Sequence, residues 1–184
     1  MDTKKAFWFD VETTGLESAI HGIVQLAGIV EINGEIKHEF DFKIRPFPAD
    51  AIDDEALLIH GYTREAIQEF ASPKEVYVEL LDILGTYVNK FDKTDKFYPG
   101  GYNVSFDYGF LQAFFTKCCD KYFGSWFNHR KLDPLPFLWR GDFIGKYRLE
   151  NYKLETVAKH FGVDLVAHDA LSDVRATREI FRMV

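Results

Sequence analysis

Five residues have the types and placement to do chemistry together: Asp10, Glu12, Asp107, His168 and Asp173. Asp10 and Glu12 end the stretch Ala-Phe-Trp-Phe-Asp-Val-Glu-Thr-Thr-Gly at 6–15, whose apolar start has the look of a buried strand. Residues two apart on a strand share a face, so these two acids stand side by side. Unpaired carboxylates beside Phe7, Trp8 and Phe9 cost several kcal/mol, of order, and repel each other. A divalent cation between them removes both penalties, and magnesium commonly takes one or two carboxylates plus water and substrate phosphate. The same stretch alone also fits two acids opening a solvated turn. Asp107 and Asp173 each fall in the first turn of a predicted helix. A helix N-terminus favours a carboxylate by roughly 0.3–1 kcal/mol, so each acid taken singly also fits a capping or dipole role. His168 lies five residues before Asp173, about 140° around a continuous helix. It therefore belongs to the loop before that helix, where an imidazole near acids is a candidate general base.

Composition narrows what surrounds such a site. The chain has 184 residues, 47% hydrophobic and 16% aromatic, enough to bury a core within one domain spanning 1–184. No apolar run approaches the roughly 18 residues of a membrane span, and Met-Asp-Thr-Lys-Lys leads into a strand without a signal-like segment, so the expectation is a cytoplasmic protein with no membrane partner. Cys118 and Cys119 are adjacent in a helical pattern, with no zinc-like spacing, and are expected to be reduced packing residues. The net charge of −7 argues against a broad basic surface gripping duplexes. Residues 1–60 hold 5 Lys+Arg against 12 Asp+Glu, whereas residues 115–184 hold 12 against 9, interleaved with aromatics. That last third could face a polyanion or be ordinary surface.

The elements that must position these residues follow from periodicity. Ala6 onward, Ile23–Ile32 and Ile36–Ile44 are three strands, the last two joined by an Asn33-Gly34 hairpin turn, and they form an antiparallel meander. Short helices are expected over Asp53–Ile59 and Thr63–Phe70. Ser72-Pro73-Lys74-Glu75 is a capping box ahead of a helix reaching about Asn89. Phe97–Asn103 is a short strand made irregular by Pro99-Gly100-Gly101. Ser105 is the expected cap of a helix with Phe106, Phe110, Phe114 and Cys118 on its apolar stripe. Residues 120–150 are the least legible, with a short strand at Leu132-Asp133 and a helix after Pro134. A helix through Leu154, Val157, Ala158 and Phe161 closes at Gly162, and the last begins near Ala170. Phe123, Trp126, Phe127 and Trp139 are expected mainly in the core, and Arg175, Arg178 and Arg182 on a solvated helix face. Strands first, then helices around one more strand, give an α/β domain with a mixed sheet.

Three segments, Phe-Asp-Val-Glu-Thr-Thr-Gly at 9–15, Asn-Val-Ser-Phe-Asp at 103–107 and His-Asp-Ala-Leu-Ser-Asp at 168–173, together resemble the motifs of the DEDDh (DnaQ-like) 3′–5′ exonucleases, in the family's order. The His five before the last Asp marks the DEDDh branch, because the sister branch has Tyr at the place held here by Asp169. The run from Arg148 through Glu155 and on to Ala176-Thr177 looks most like the bacterial exonuclease I type. The resemblance implies a ribonuclease H-like fold. It implies two Mg2+ ions, with Mn2+ able to substitute, on Asp10, Glu12, Asp107 and Asp173. It makes His168 the base for the attacking water. Thr13, Thr14 and Leu16 match the loop that holds the 3′-terminal nucleotide, and Ile59-His60-Gly61-Tyr62-Thr63 is similar to a segment near the terminal base, with Tyr62 replacing the usual aliphatic. Asn103 matches a site-orienting Asn. The implied activity is release of 5′-mononucleotides from single-stranded 3′ ends, DNA slightly favoured over RNA, with a polymerase or other replication or repair protein as a partner. An oligoribonuclease-type exoribonuclease is the alternative. A non-catalytic nucleic-acid-binding exonuclease-fold module is a second alternative, which a missing acid or His would favour, and none is missing. A phosphatase using Asp10 as nucleophile would want Asp-x-Asp, and the second acid is Glu12.

Overall fold

The computed structural model describes residues 3–166 and 169–184, so His168 lies outside the described residues. Its sheet has four strands, β1 (Lys5–Thr13), β2 (Ile23–Ile32), β3 (Glu35–Lys43) and β4 (Tyr98–Gly100), in the order β3-β2-β1-β4. The expected meander is present: β1 pairs antiparallel with β2, and β2 with β3. The irregular fourth strand is an edge strand, parallel to β1. Glycine makes that pairing possible, since a Cβ on Gly100 would meet the Trp8 ring at 2.4 Å and one on Gly101 the Phe9 carbonyl at 2.8 Å.

Both faces of β1 are covered, which explains its unbroken apolar start. Phe7, Phe9 and Val11 enter the main core with Leu80 and Leu84 of α3 (Pro73–Tyr87) and Leu111 and Phe115 of α4 (Ser105–Lys117). Ala6 and Trp8 face the other way, against Ala170 and Val174 of the C-terminal helix. Between β3 and α3 lie α1 (Asp54–His60) and α2 (Arg64–Gln68), and the capping box at Ser72 and Glu75 is formed. After α4 come α5 (Phe123–Trp126), which the sequence pattern did not reveal, α6 (Leu135–Phe143), α7 (Leu154–Phe161), closed by Gly162, and α8 (Ala170–Met183). The predicted strand at Leu132-Asp133 is a single bridge from Leu132 to Gly100.

Phe123, Trp126 and Phe127 are buried, as expected of most of the four aromatics, and Trp139 is 53% exposed. Two expectations need correction. Ser105 does not cap α4: the N-cap is Val104, with no side-chain cap bond, and the Ser105 hydroxyl lies 3.2 Å from Lys131 Nζ. Arg178 is buried rather than solvated, because its guanidinium pairs with Glu31 and donates to the Gly34 carbonyl at 3.0 Å. Cys118 and Cys119 are free.

Candidate functional site

Asp10 and Glu12 continue the face of β1 that carries Ala6 and Trp8, the face turned to α8. Val174 packs beneath that face, which puts its neighbour Asp173, in the first turn of α8, close to the two acids. Asp169 fixes the start of this helix by accepting from the backbone N–H groups of Leu171 and Ser172. Asp107 arrives from the other side, in the first turn of α4, where β4 has already ended. Three elements thus bring four carboxylates to one end of β1.

Their electrostatics record the closeness. Burial raises the Asp10 pKa well above its ordinary value, and the carboxylates of Asp107, Glu12 and Asp173 raise it further. Burial also raises Asp107, which is 4% exposed; hydrogen bonding from the Val11 main chain opposes the shift, while Glu12 and Asp133 add to it. Neither Asp10 nor Asp107 is in an ion pair among the described residues. Among those residues no three His, Cys, Asp or Glu side chains are closed up into a ready ligand cage. The four acids stand within Coulombic reach of one another, an all-oxygen donor set suited to hard divalent cations.

Beside them is a cleft of about 240 Å³, lined by Glu12, Thr13, Leu16, Asp53, Ile59, His60 and Phe106 among others. Leu16 is 79% exposed at its rim. The Thr13 hydroxyl donates to the Gly15 carbonyl at 2.7 Å. Thr14 does not line the cleft; its hydroxyl donates to Ala51 and accepts from the Gly22 N–H, stitching the loop together. His60 Nδ1 accepts from the Tyr62 N–H at 3.3 Å, and its buried Nε2 has no hydrogen-bond partner among the described residues. Burial lowers the His60 pKa, with the Thr13 main chain partly offsetting and Lys43 adding to the fall, so this ring is neutral near pH 7. The Tyr62 ring lies tilted against His60, centroids 4.9 Å apart, and its hydroxyl donates to Gln25, which locks the segment in place.

Asn103 adopts the left-handed conformation, φ 56°, at the turn before α4. That turn is held by Asp133, whose carboxylate accepts from the N–H groups of Val104 at 3.2 Å and Leu135 at 3.0 Å. Sequence reading missed Asp133 as a support of the site, as well as Asp53 and Phe106 as cleft walls. An Asp ahead of Pro134 and a helix is a capping signature that could have found the first. A second pocket, about 410 Å³, opens at the other end of β1 between Trp8, Tyr98 and Phe181, away from the carboxylates.

A mixed sheet flanked by helices, with paired acids on its central strand, defines a ribonuclease H-like α/β protein. Comparison with known proteins agrees. The RNase T family model, an exonuclease, matches residues 7–181. DNA polymerase III of the PolC type from Halalkalibacterium halodurans is 29% identical over 178 residues, covering 96% of this chain and 11% of the polymerase. The PolC-type polymerase of Thermotoga maritima is 26% identical, covering 94% and 11%. Among solved structures, Escherichia coli exonuclease I in complex with a dT13 oligonucleotide superposes with a TM-score of 0.80 at 22% identity, covering 98% of this chain and 41% of that one. Exonuclease I from Methylocaldum szegediense gives 0.77 at 20%, covering 98% and 42%. The chain belongs to this exonuclease family, the DnaQ-like 3′–5′ exonucleases. It spans about a tenth of the curated relatives and about two-fifths of the structural neighbours.

Proposed function

We propose that residues 1–184 act as one exonuclease domain that removes 5′-mononucleotides from single-stranded 3′ ends, DNA in preference to RNA. The observation that carries this reading is the convergence of Asp10, Glu12, Asp107 and Asp173 at the end of β1, beside a cleft sized for part of a nucleotide. Those four acids would hold two divalent cations, Mg2+ with Mn2+ as substitute. Bound there, such ions supply charge neutralisation at the scissile phosphate and a water of lowered pKa. The protein's own groups do the rest. Leu16, Ile59 and Phe106 offer apolar walls for the terminal nucleoside, and Thr13 and neutral His60 border it. His168 takes the proton from the attacking water, a role resting on its place five residues before Asp173. Asn103 orients the turn ahead of Asp107.

Several observations favour DNA and a replication or repair setting. The PolC-type relatives are DNA polymerases by name, and the structural neighbours include exonuclease I with dT13 and with dA16 and an exonuclease I/SSB-Ct complex. A polymerase or other replication or repair protein is the partner these names support. Among the described residues no helix is long and apolar enough to cross a membrane, and a cytoplasmic site of action fits the free cysteines.

Matched 5′-labelled DNA and RNA oligonucleotides, incubated with Mg2+ or Mn2+, test the reading. A ladder receding from the 3′ end, faster on DNA, is expected; a label that never shortens in either metal overturns it. Faster loss of the RNA label would favour the exoribonuclease alternative. His168→Ala should cut turnover by roughly 10²–10⁴ while Mg2+ binding, followed by calorimetry, persists.

A further inference from the structure

Helix α6 has two contrasting faces. Leu135, Leu138 and Gly141 are buried; the two leucines pack against Val157 and Ala158 of α7 and Ala176 and Ile180 of α8. The opposite face carries Trp139, Arg140 and Phe143, neighbours by helical spacing, and Trp139 is 53% and Phe143 92% exposed. Lys146 and Arg148 follow in the exposed loop.

The chain's cations divide into those that a carboxylate holds and those that none of the described residues pairs. Arg175, Arg178, Arg182, Lys5 and Lys117 are each neutralised by a carboxylate. Arg140, Lys146 and Arg148 enter no ion pair among the described residues. The acid Asp142 lies among them, close to Tyr147 and Tyr152. Unpaired cations of one sign alternating with exposed aromatic rings are the two features by which proteins hold single strands: rings stack on bases of any sequence, and cations follow the phosphates. A protein-docking core would instead be depleted of charge.

The face is also tied to the site. Asp133 fastens Leu135, at the start of α6, to Val104, at the turn that delivers Asp107. Trp139 and Phe143 lie six and ten residues beyond Asp133, roughly 9 and 15 Å along a helix axis. We propose that this surface, Trp139 to Arg148, holds the single strand upstream of the 3′ end, with bases on Trp139 and Phe143 and phosphates on Arg140, Lys146 and Arg148. The proposal rests on the exonuclease reading above and supplies what an acidic chain of net charge −7 otherwise lacks, a grip on a polyanion.

Tryptophan fluorescence tests it directly. Of the three tryptophans, Trp8 is 2% exposed, Trp126 5% and Trp139 53%, so a stacked base quenches chiefly Trp139. The full chain is titrated with oligothymidylate of about four and of about twenty nucleotides, without divalent metal so that binding is read apart from hydrolysis. Quenching by the longer strand is expected, and Trp139→Phe should abolish it while retaining binding. Trp139→Ala with Phe143→Ala should weaken the longer strand's binding, and raise its KM in Mg2+, by roughly five-fold or more. The KM for the short strand and kcat serve as internal controls. Replacing Arg140, Lys146 and Arg148 by Ala should flatten the salt dependence of binding by about 0.7 in log–log slope for each phosphate no longer neutralised. Unquenched Trp139, or a long-strand affinity indifferent to these changes, overturns the surface and leaves this face to a protein partner. Failure of the wild type to hydrolyse either strand instead overturns the exonuclease reading, and the titration still judges the surface.

Discussion

At the scale of single residues, the site is built from groups that oppose one another. Asp10 is raised by burial and by three neighbouring carboxylates, and Asp107 is raised by burial with only main-chain hydrogen bonds to oppose the shift. Each is a local cost to the metal-free fold, which the proposed metal ions would offset. Asp10→Asn removes one charge and little volume, so metal-free protein carrying it should unfold at higher temperature, with a gain on the order of 1–3 kcal/mol, while losing its response to Mg2+ and its activity. A calorimetric melt in EDTA checks this; a lower melting temperature than wild type would contradict the repulsion. Asp10 and Glu12 alone also fit a solvated turn, and Asp107 and Asp173 singly fit helix caps; only the three motifs together single out the four acids. His60 was legible only through its resemblance to a family segment. Its burial and its bond from the Tyr62 N–H come from chain crossings no local pattern encodes.

At the scale of elements, strand and helix positions were largely readable and their joints were not. β2 and β3 followed from apolar and alternating periodicity with an Asn-Gly turn between them, and α3 from its capping box, because these signals are local. The joint between α4 and α6 is non-local: Asp133, thirty residues after Asn103, supplies the acceptor that Ser105 was expected to provide. Residues 120–150 were hard to read for the same reason, since their aromatics divide between the core around Phe115 and the exposed face of α6. Asp133→Ala should therefore cost about 1–3 kcal/mol of stability, the usual loss when backbone N–H groups give up a charged acceptor, and lower kcat by displacing Asp107. Asp133→Asn keeps one acceptor oxygen and should recover most of both. Equal activity in Asp133→Ala and wild type would show that the joint does not position the site. Loss of activity in the Asn variant with stability retained would assign the effect to the Asp133 charge, which also acts on Asp107.

At the scale of the whole molecule, two populations of carboxylates set the pH dependence of stability. Glu35, Glu39 and Asp95 are lowered by their basic partners, with burial opposing, and Glu75 and Asp92 by local hydrogen bonds. In these groups the unfolded chain binds more protons at acid pH, so stability rises until pH passes their ordinary values, 3.8 for Asp and 4.5 for Glu. Asp10 and Asp107 act in the opposite sense. Above 3.8, their ordinary value, the folded state keeps protons the unfolded state has lost, so stability falls as pH rises toward their raised values. Under the proposed function, divalent cations would bind the ionised carboxylates and so reverse that slope. His60, whose pKa burial lowers, adds a rise in stability as pH climbs toward 6.5, its ordinary value, so the raised pair is read as a difference: as pH rises from about 5 toward 8, metal-free wild type should lose melting temperature relative to the double variant Asp10→Asn, Asp107→Asn. Excess Mg2+ should restore more stability at pH 8 than at pH 5, on the order of 2.7 kcal/mol at a hundred times its Kd. In that double variant the Mg2+ response should vanish, and the metal-free slope should keep only the contribution of the remaining groups, His60 among them. A wild-type melting temperature that follows the double variant's across that interval in EDTA, or a Mg2+ gain that persists in the double variant, would mean that the carboxylates at the end of β1 are not where the protein's acid–base balance and its metal are joined.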